Sequence, residues 1–191
     1  EHVAAALGKS EQQSSAKPVE NVLVDDAEPA CKTIRANKGN HAFRWSEERA
    51  AAGKRSWVRS ESGLGQDVFD HLEKPLTVGG GDRFFVSVWI ESADTTKAVM
   101  LQFRTKDWSH RANWGDMAAI PFGGTKENSA KKDLGKLPKA GEWVRLEVPV
   151  EKLGLKAGDV VNSIACTISG GTVHWDALGL TSNGEGKEKP A

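Results

Sequence analysis

The chain has 191 residues, enough for one domain with a sizeable core and short for two. Its 26 Lys+Arg balance 26 Asp+Glu, so nothing in the net charge draws it to nucleic acid or an acidic membrane surface, both of which need excess cation. No stretch approaches the roughly 20 apolar residues of a membrane span, and the opening Glu1-His2-Val3-Ala4-Ala5-Ala6-Leu7-Gly8 lacks the basic and apolar regions of a leader peptide, so a piece of a longer protein is expected.

Residues 1–20 are rich in Ala, Ser, Gln and Lys and read as a flexible linker, with too few apolar side chains to offset the entropy of ordering. From 21 to 180 the period-2 alternation of half-buried strands takes over. Val22-Leu23-Val24 opens it and runs into Asp25-Asp26. Phe43 and Trp45 alternate with Arg44, then a turn or two of helix is expected over Ser46–Lys54. Short runs follow at Trp57-Val58 and Val68-Phe69. Arg83–Glu91 (RFFVSVWIE) is the strongest strand signal, rich in aromatic and β-branched residues. Ala98–Arg104 comes next, then Arg111–Trp114, Trp143–Val150 and a single helical turn at Val150–Leu153. Val160–Ser169 and Thr172–Leu180 predict a hairpin about Gly170-Gly171. Residues 181–191, ending SNGEGKEKPA, read as a flexible tail. Many strands with Gly-rich turns predict an all-β antiparallel sandwich or barrel.

Catalytic motifs are absent: there is no Gly-x-Ser-x-Gly elbow, phosphate loop, His-Glu-x-x-His or dinucleotide fingerprint. Gly79-Gly80-Gly81 and Gly123-Gly124 follow no strand-to-helix pattern and are read as turns. His2, His41, His71, His110 and His174 have no ligand spacing, which argues against zinc. Carboxylate pairs for glycoside hydrolysis are joined in space rather than in sequence, so only a structure tests them. No enzyme is expected.

The chemistry-bearing segment runs from Met100 to Gly115. As a strand, it sends Leu101 and Phe103 to one side and Met100, Gln102 and Arg104 to the other. The second face brings an amide and a guanidinium close to Trp108 and Trp114, with His110, Arg111 and Asn113 nearby. A pyranose offers apolar C–H faces that stack on an indole and hydroxyls that bond planar polar groups, so this set suits a sugar. Ordinary core placement of Trp108 and Trp114 is the alternative. Trp45, Trp57, Trp89, Trp143 and Trp175 lie in alternating runs and are taken mostly as core.

Asp25 and Asp26 end the first strand and Asp176 lies in the last. Terminal strands of a sandwich often pair, which would gather these carboxylates into a site for a structural Ca²⁺; capping of turns or pairing with Lys and Arg is the alternative. Cys31 and Cys166 leave two readings, one disulfide or two unrelated buried thiols.

Several blocks carry a resemblance: Gly81-Asp82-Arg83-Phe84-Phe85, Met100-Leu101-Gln102-Phe103, the stretch Trp108–Gly115, the stretch Leu137–Pro149 (LPKAGEWVRLEVP) and Thr172-Val173-His174-Trp175-Asp176. Together they resemble a domain embedded in large planctomycete-type c-type cytochrome proteins. The Gly-Glu-Trp-Val-Arg-Leu strand and the final Trp-Asp strand are also similar to galactose-binding-like jelly rolls of carbohydrate-binding modules. The resemblance implies a jelly-roll sandwich over about 21–180, an exported parent protein (periplasmic or extracellular), glycan recognition, and calcium near Asp25 or Asp26 and Asp176. The haem attachment motif is missing, so no haem is expected in this fragment. The reading is a non-catalytic carbohydrate-binding module that attaches its parent to a polysaccharide or oligosaccharide through Trp108, Trp114, Gln102, Arg104, His110 and Arg111. The alternative is a structural or docking domain that packs against other domains of the parent through the same Trp/Arg face.

Overall fold

Alternating apolar residues form β-strands throughout the residues that the computed structural model describes, 17–36 and 43–183. In chain order they are β1 (Val19–Val24), β2 (Cys31–Ala36), β3 (Arg44–Ser46), β4 (Ser56–Leu72), β5 (Leu76–Thr77) and β6 (Arg83–Ile90). Then come β7 (Ala98–Arg104), β8 (His110–Gly115), β9 (Lys131–Asp133), β10 (Trp143–Pro149), β11 (Val160–Val161) and β12 (Ser163–Ser182). The linker expected over 1–20 falls outside the described residues up to 16, and Val19 and Glu20 belong to β1. The tail expected over 181–191 falls outside them from 184, and Thr181 and Ser182 belong to β12.

The two longest strands organise the sandwich. β4 has 17 residues and β12 has 20, and they run antiparallel from Trp57 opposite Trp175 to Phe69 opposite Ile164. The first half of β12 also pairs with β7, which leads on to β8 and β9, while β2 lines the far side of β4. The second half of β12 pairs with β6 and so with β10, while β3 flanks the start of β4 and β1 pairs the end of β12. All of these pairings are antiparallel except β8 with β9.

One hydrogen-bonded sheet thus folds over itself into two layers. Trp57 and Phe69 show the fold directly. They lie on one strand, twelve residues apart in number, which fully extended would be about 40 Å. Their rings nevertheless meet edge to face with centroids 6.1 Å apart. Across the layers, Phe84 of β6 stacks on Phe103 of β7 at 4.0 Å. Between them lies one core that includes Trp57, Phe69, Phe84, Leu101, Phe103, Trp114, Ile164 and Trp175. Of the sandwich or barrel that the alternation allowed, the observed fold is the all-β sandwich that the resemblance implied.

Two local expectations are corrected. Gly170-Gly171 is not a hairpin turn but a bend inside β12, with φ of +75° and +77°. A side chain at either position would run into Thr95 or Thr96. The chain bends rather than reverses because β4 continues alongside, while the two halves of β12 take different second partners, β7 and β6. Of the helix expected over Ser46–Lys54, Ser46 ends β3 and 47–54 is irregular; a 3-10 turn does occur at Glu151–Leu153, inside the helical turn expected over Val150–Leu153. Among the described residues no helix is long and apolar enough to cross a membrane.

Of the two readings left open for Cys31 and Cys166, the structure has the unbonded one: both cysteines are free, Cys166 buried and Cys31 half-buried. Cys31 lies opposite Leu72 of β4 and Cys166 opposite Asp67. Five residues of strand separate these positions, about 16 Å, whereas a disulfide needs Cα atoms within roughly 7 Å. Burial pushes the Cys166 thiol well above its ordinary value, so it behaves as a small core hydrophobe.

Candidate functional site

The outer face of the first layer gathers the polar residues of the Met100–Gly115 segment. On β7, Leu101 and Phe103 enter the core as the alternation predicts, which turns Met100, Gln102 and Arg104 outward. The β7–β8 register sets Gln102 opposite Arg111 and Val99 opposite Trp114. Arg111 therefore shares the outer face with Gln102, whereas Trp114, only 6% exposed, belongs to the core.

The loop between β8 and β9 covers one end of this face. Ile120 packs with Ala98 and Met100, and Phe122 adjoins them. Lys131, at 0% exposure, pins the loop: its Nζ donates to the carbonyls of Met117 at 2.8 Å, Gly124 at 2.9 Å and Ile120. Beyond the loop lies a hollow of about 180 Å³, lined by Gln66, Gln102, Trp108, Arg111, Phe122 and Ala165. Its floor is a chain of hydrogen bonds. Arg111 Nε donates to Gln102 Oε1 at 2.8 Å. Gln102 Nε2 donates to Gln66 Oε1 at 2.6 Å and to Thr167 Oγ1 at 2.9 Å. Thr167 Oγ1 donates in turn to Gln66 Oε1 at 3.0 Å. Burial pulls the Arg111 guanidinium below the usual arginine value, opposed by the charge of Asp107. Gly123, at φ +79°, lets Arg111 lie close: a Cβ there would sit 2.8 Å from Nη1.

The structure brings together three of the six residues expected to contact a sugar, Gln102, Trp108 and Arg111. Arg104 is on the same face but is committed to Asp70 at 3.6 Å and His71 at 3.3 Å. His110 is held by the carbonyl of Leu153 at 2.8 Å and by Thr105 at 3.3 Å. His110 and Trp114 do not line the hollow. The further lining residues Gln66, Phe122 and Ala165 were missed by sequence reasoning. Gln66 lies between Gly65 and Asp67 in a stretch with no motif, so its type alone carried no signal. Phe122 sits next to the Gly123-Gly124 turn and could have been suspected as an apolar residue in a loop with no strand to bury it.

A second hollow, about 740 Å³, lies where the sheet folds over and is lined in part by Ser60, Glu61, Glu91 and Thr172. It contains two carboxylates, but each has a basic partner. Glu61 accepts from Arg59 Nη1 at 2.6 Å, and Glu91 faces His174 Nε2 at 3.4 Å. Burial holds the His174 imidazole below its ordinary value.

Two of the three aspartates expected to bind calcium, Asp26 and Asp176, work on one loop. Asp176, at 0% exposure, accepts the N–H groups of Ala51 at 2.6 Å, Ala52 at 3.0 Å and Ala177 at 2.8 Å. Asp26 accepts those of Lys54 at 2.7 Å and Arg55 at 2.9 Å, which hold its carboxyl below the usual range. Burial raises the Asp176 carboxyl, and the nearby charge of Asp25 adds to this. Asp25 Oδ1 is buried with no hydrogen-bond partner. Among the described residues no group of three or more His, Cys, Asp or Glu is placed to hold a metal ion. Asp26 is thus spent on the loop, while Asp25 and Asp176 remain neighbours.

Similar shapes occur among solved structures. One is TmCBM61 in complex with β-1,4-galactotriose, 12% identical, with 79% of this chain and 89% of that one covered and a TM-score of 0.45. Another is the C-terminal family 22 carbohydrate binding module of Clostridium thermocellum Xyn10B, 14% identical, covering 84% and 92%, at 0.44. A third is the Spr0440 glycoside hydrolase domain, Endo-D, of Streptococcus pneumoniae R6, 12% identical over 82% of this chain and 22% of that one, at 0.45. The chain spans about a fifth of the length of that hydrolase chain. No protein-family model matches the chain, and no curated protein sequence does. The β-sandwich itself is read from the strand pairing.

Proposed function

We propose that this chain is a non-catalytic carbohydrate-binding module that holds a sugar ring against Trp108 in the outer-face hollow. The observation that carries this reading is the hollow's composition, with Trp108 and Phe122 among its lining and a polar floor of Gln66, Gln102 and Arg111. An indole stacks on the apolar C–H face of a pyranose and loses little rotamer freedom, while planar amides and a guanidinium match the directional groups on the ring edge. At about 180 Å³ the hollow is below the 300–1,000 Å³ typical of drug-sized ligands, which fits one ring with the rest of a glycan in solvent. Attachment of a larger exported protein to a polysaccharide belongs to the same proposal. Retention on a broad panel of soluble and insoluble glycans tests it. Trp108→Ala is expected to weaken binding at least tenfold with the melting temperature unchanged, because Trp108 lies outside the core. Negligible retention of both proteins across the panel overturns the reading.

A structural Ca²⁺ at Asp25 and Asp176 is a second, separable proposal, supported by the buried, partnerless Oδ1 of Asp25 beside the Asp176 charge. Ca²⁺ takes six to eight oxygens, so backbone carbonyls and water would supply the others. Added calcium is expected to raise the melting temperature of the wild type and leave Asp25→Asn unmoved. Melting that ignores both calcium and chelator, with no calcium on elemental analysis, leaves these acids as loop anchors alone.

A further inference from the structure

We infer that the sugar taken by the outer-face hollow is acidic, with its carboxylate seated on Arg111 and Gln66. This rests on the carbohydrate-binding reading and narrows it to a ligand class.

The argument starts from a group with only one hydrogen-bonding role. A guanidinium donates and never accepts, so the Arg111 Nε contact fixes the facing atom of Gln102 as its oxygen, Oε1. The Gln102 amide nitrogen must then point the other way, to Gln66 and Thr167. The atom of Gln66 that receives it, and that Thr167 also donates to, is Oε1. One cation thereby orients two amides in series. The group left at the end of the series is Gln66 Nε2, which has no acceptor among the described residues.

What the hollow offers a guest follows directly. The polar groups of its lining residues that make no hydrogen bond among the described residues are the Nη atoms of Arg111, the Nε2 of Gln66 and the indole N–H of Trp108, and every one of them donates. The amide oxygens are already engaged, and Gln102 is only 4% exposed. A neutral sugar hydroxyl would fill one donor and find no free acceptor in the lining for its own hydrogen. A carboxylate brings two oxygens, several lone pairs and no hydrogen, and its plane matches the guanidinium fork.

Charge points the same way. Among the described residues Arg111 makes no ion pair, and behind it the fully buried Lys131 ammonium is met only by carbonyl oxygens. The two cations feel one another, since Arg111 disfavours the charged form of Lys131. The acids acting on them are Asp107 and Asp116. Both are exposed and engaged elsewhere, Asp107 with the Ser109 hydroxyl and Asp116 with the N–H of Ala118 at 2.8 Å. A guest anion would complete an unbalanced site in a spot partly withdrawn from water.

The test compares uronate oligomers (from polygalacturonate, alginate and glucuronoxylan) with their methyl-esterified forms, by calorimetry on the whole chain. The acidic form of at least one is expected to bind about ten- to a hundredfold more tightly than its ester. Arg111→Gln and Gln66→Glu should each remove that preference with the fold intact by circular dichroism; the second keeps the shape of Gln66 and puts a charged acceptor where a donor stood. Equal binding of acid and ester, or binding of neutral glycans alone, overturns the acidic-sugar inference and leaves the module reading standing. Dextran sulfate bound as tightly as the best uronate overturns it in favour of general anion binding. Retention of nothing from either set removes both.

Discussion

Asp67→Ala is expected to destabilise the protein by about 3 kcal/mol, because it removes the buried carboxylate that two nitrogens of the Arg59 guanidinium bond. Arg59 and Asp67 are 5% and 1% exposed and lie on the two halves of β4, either side of the place where the sheet folds over. Arg59 Nε donates to Asp67 Oδ1 at 2.9 Å, Nη2 donates to the same oxygen, and Nη1 donates to Glu61 at 2.6 Å. Burial raises the Asp67 carboxyl above its usual range and the Arg59 guanidinium opposes this, so the pair depends on both members being present. Glu61 remains after the substitution and keeps the loss at the lower end of the 3–5 kcal/mol typical of broken buried pairs. The double variant Arg59→Met/Asp67→Leu should recover at least half of it, since apolar side chains of similar size replace both buried charges and the Glu61 carboxylate that loses Arg59 is part exposed. Urea unfolding at fixed pH measures both. A single variant within about 0.5 kcal/mol of wild type, the range of an ordinary surface change, would show that the pair does not hold the fold-over.

Phe103→Ala is expected to cost about 3–5 kcal/mol and to lower the melting temperature by about 6–20 °C. Phe103 is fully buried and its ring stacks at 4.0 Å on Phe84, so it joins strands of opposite layers rather than neighbours in one. The layers are pinned by β4 and β12 at the fold and cannot close over the vacated ring, so most of the cavity persists. Phe122→Ala is the control: Phe122 is partly exposed in a loop over a small satellite cluster, and its loss should be clearly smaller. Similar losses at both positions would mean that the interlayer contact carries no special weight.

Alternation made the strands legible because a half-buried strand must turn every second side chain to the core. It placed β6, β7, β8 and β10 within a residue or two, and it assigned Leu101 and Phe103 inward and Gln102 outward as observed. Periodicity says nothing about where a strand ends when its partner continues. Trp57-Val58 and Val68-Phe69 looked like separate short runs, and Gly170-Gly171 looked like a reversal. Both are interiors of long strands, because β4 and β12 support each other across the bend.

Of the seven Trp, Trp57 and Trp175 are fully buried, as alternating runs suggested. Trp89 and Trp143 instead meet edge to face at 6.0 Å on the outer side of the second layer, with Arg49 lying 4.4 Å over Trp89. Their register partners face the same way along β6 and β10. Nothing in the pattern of one strand tells which of its faces the other layer will cover.

The amino-acid sequence by itself determined that the chain forms an all-β antiparallel fold, a sandwich or a barrel, and that a polar, Trp-bearing segment lies between residues 100 and 115. Only the tertiary structure decided the members of the site. Trp108 and Trp114 belong to one segment, yet the β7–β8 register sends Trp114 inward and leaves Trp108 at the hollow. Gln66 reaches Gln102 from 36 positions away because β12 runs between their strands. The reason is physical. Side-chain alternation is a local property of each strand, whereas the make-up of a shared face depends on pairing and on which loop is pinned over it.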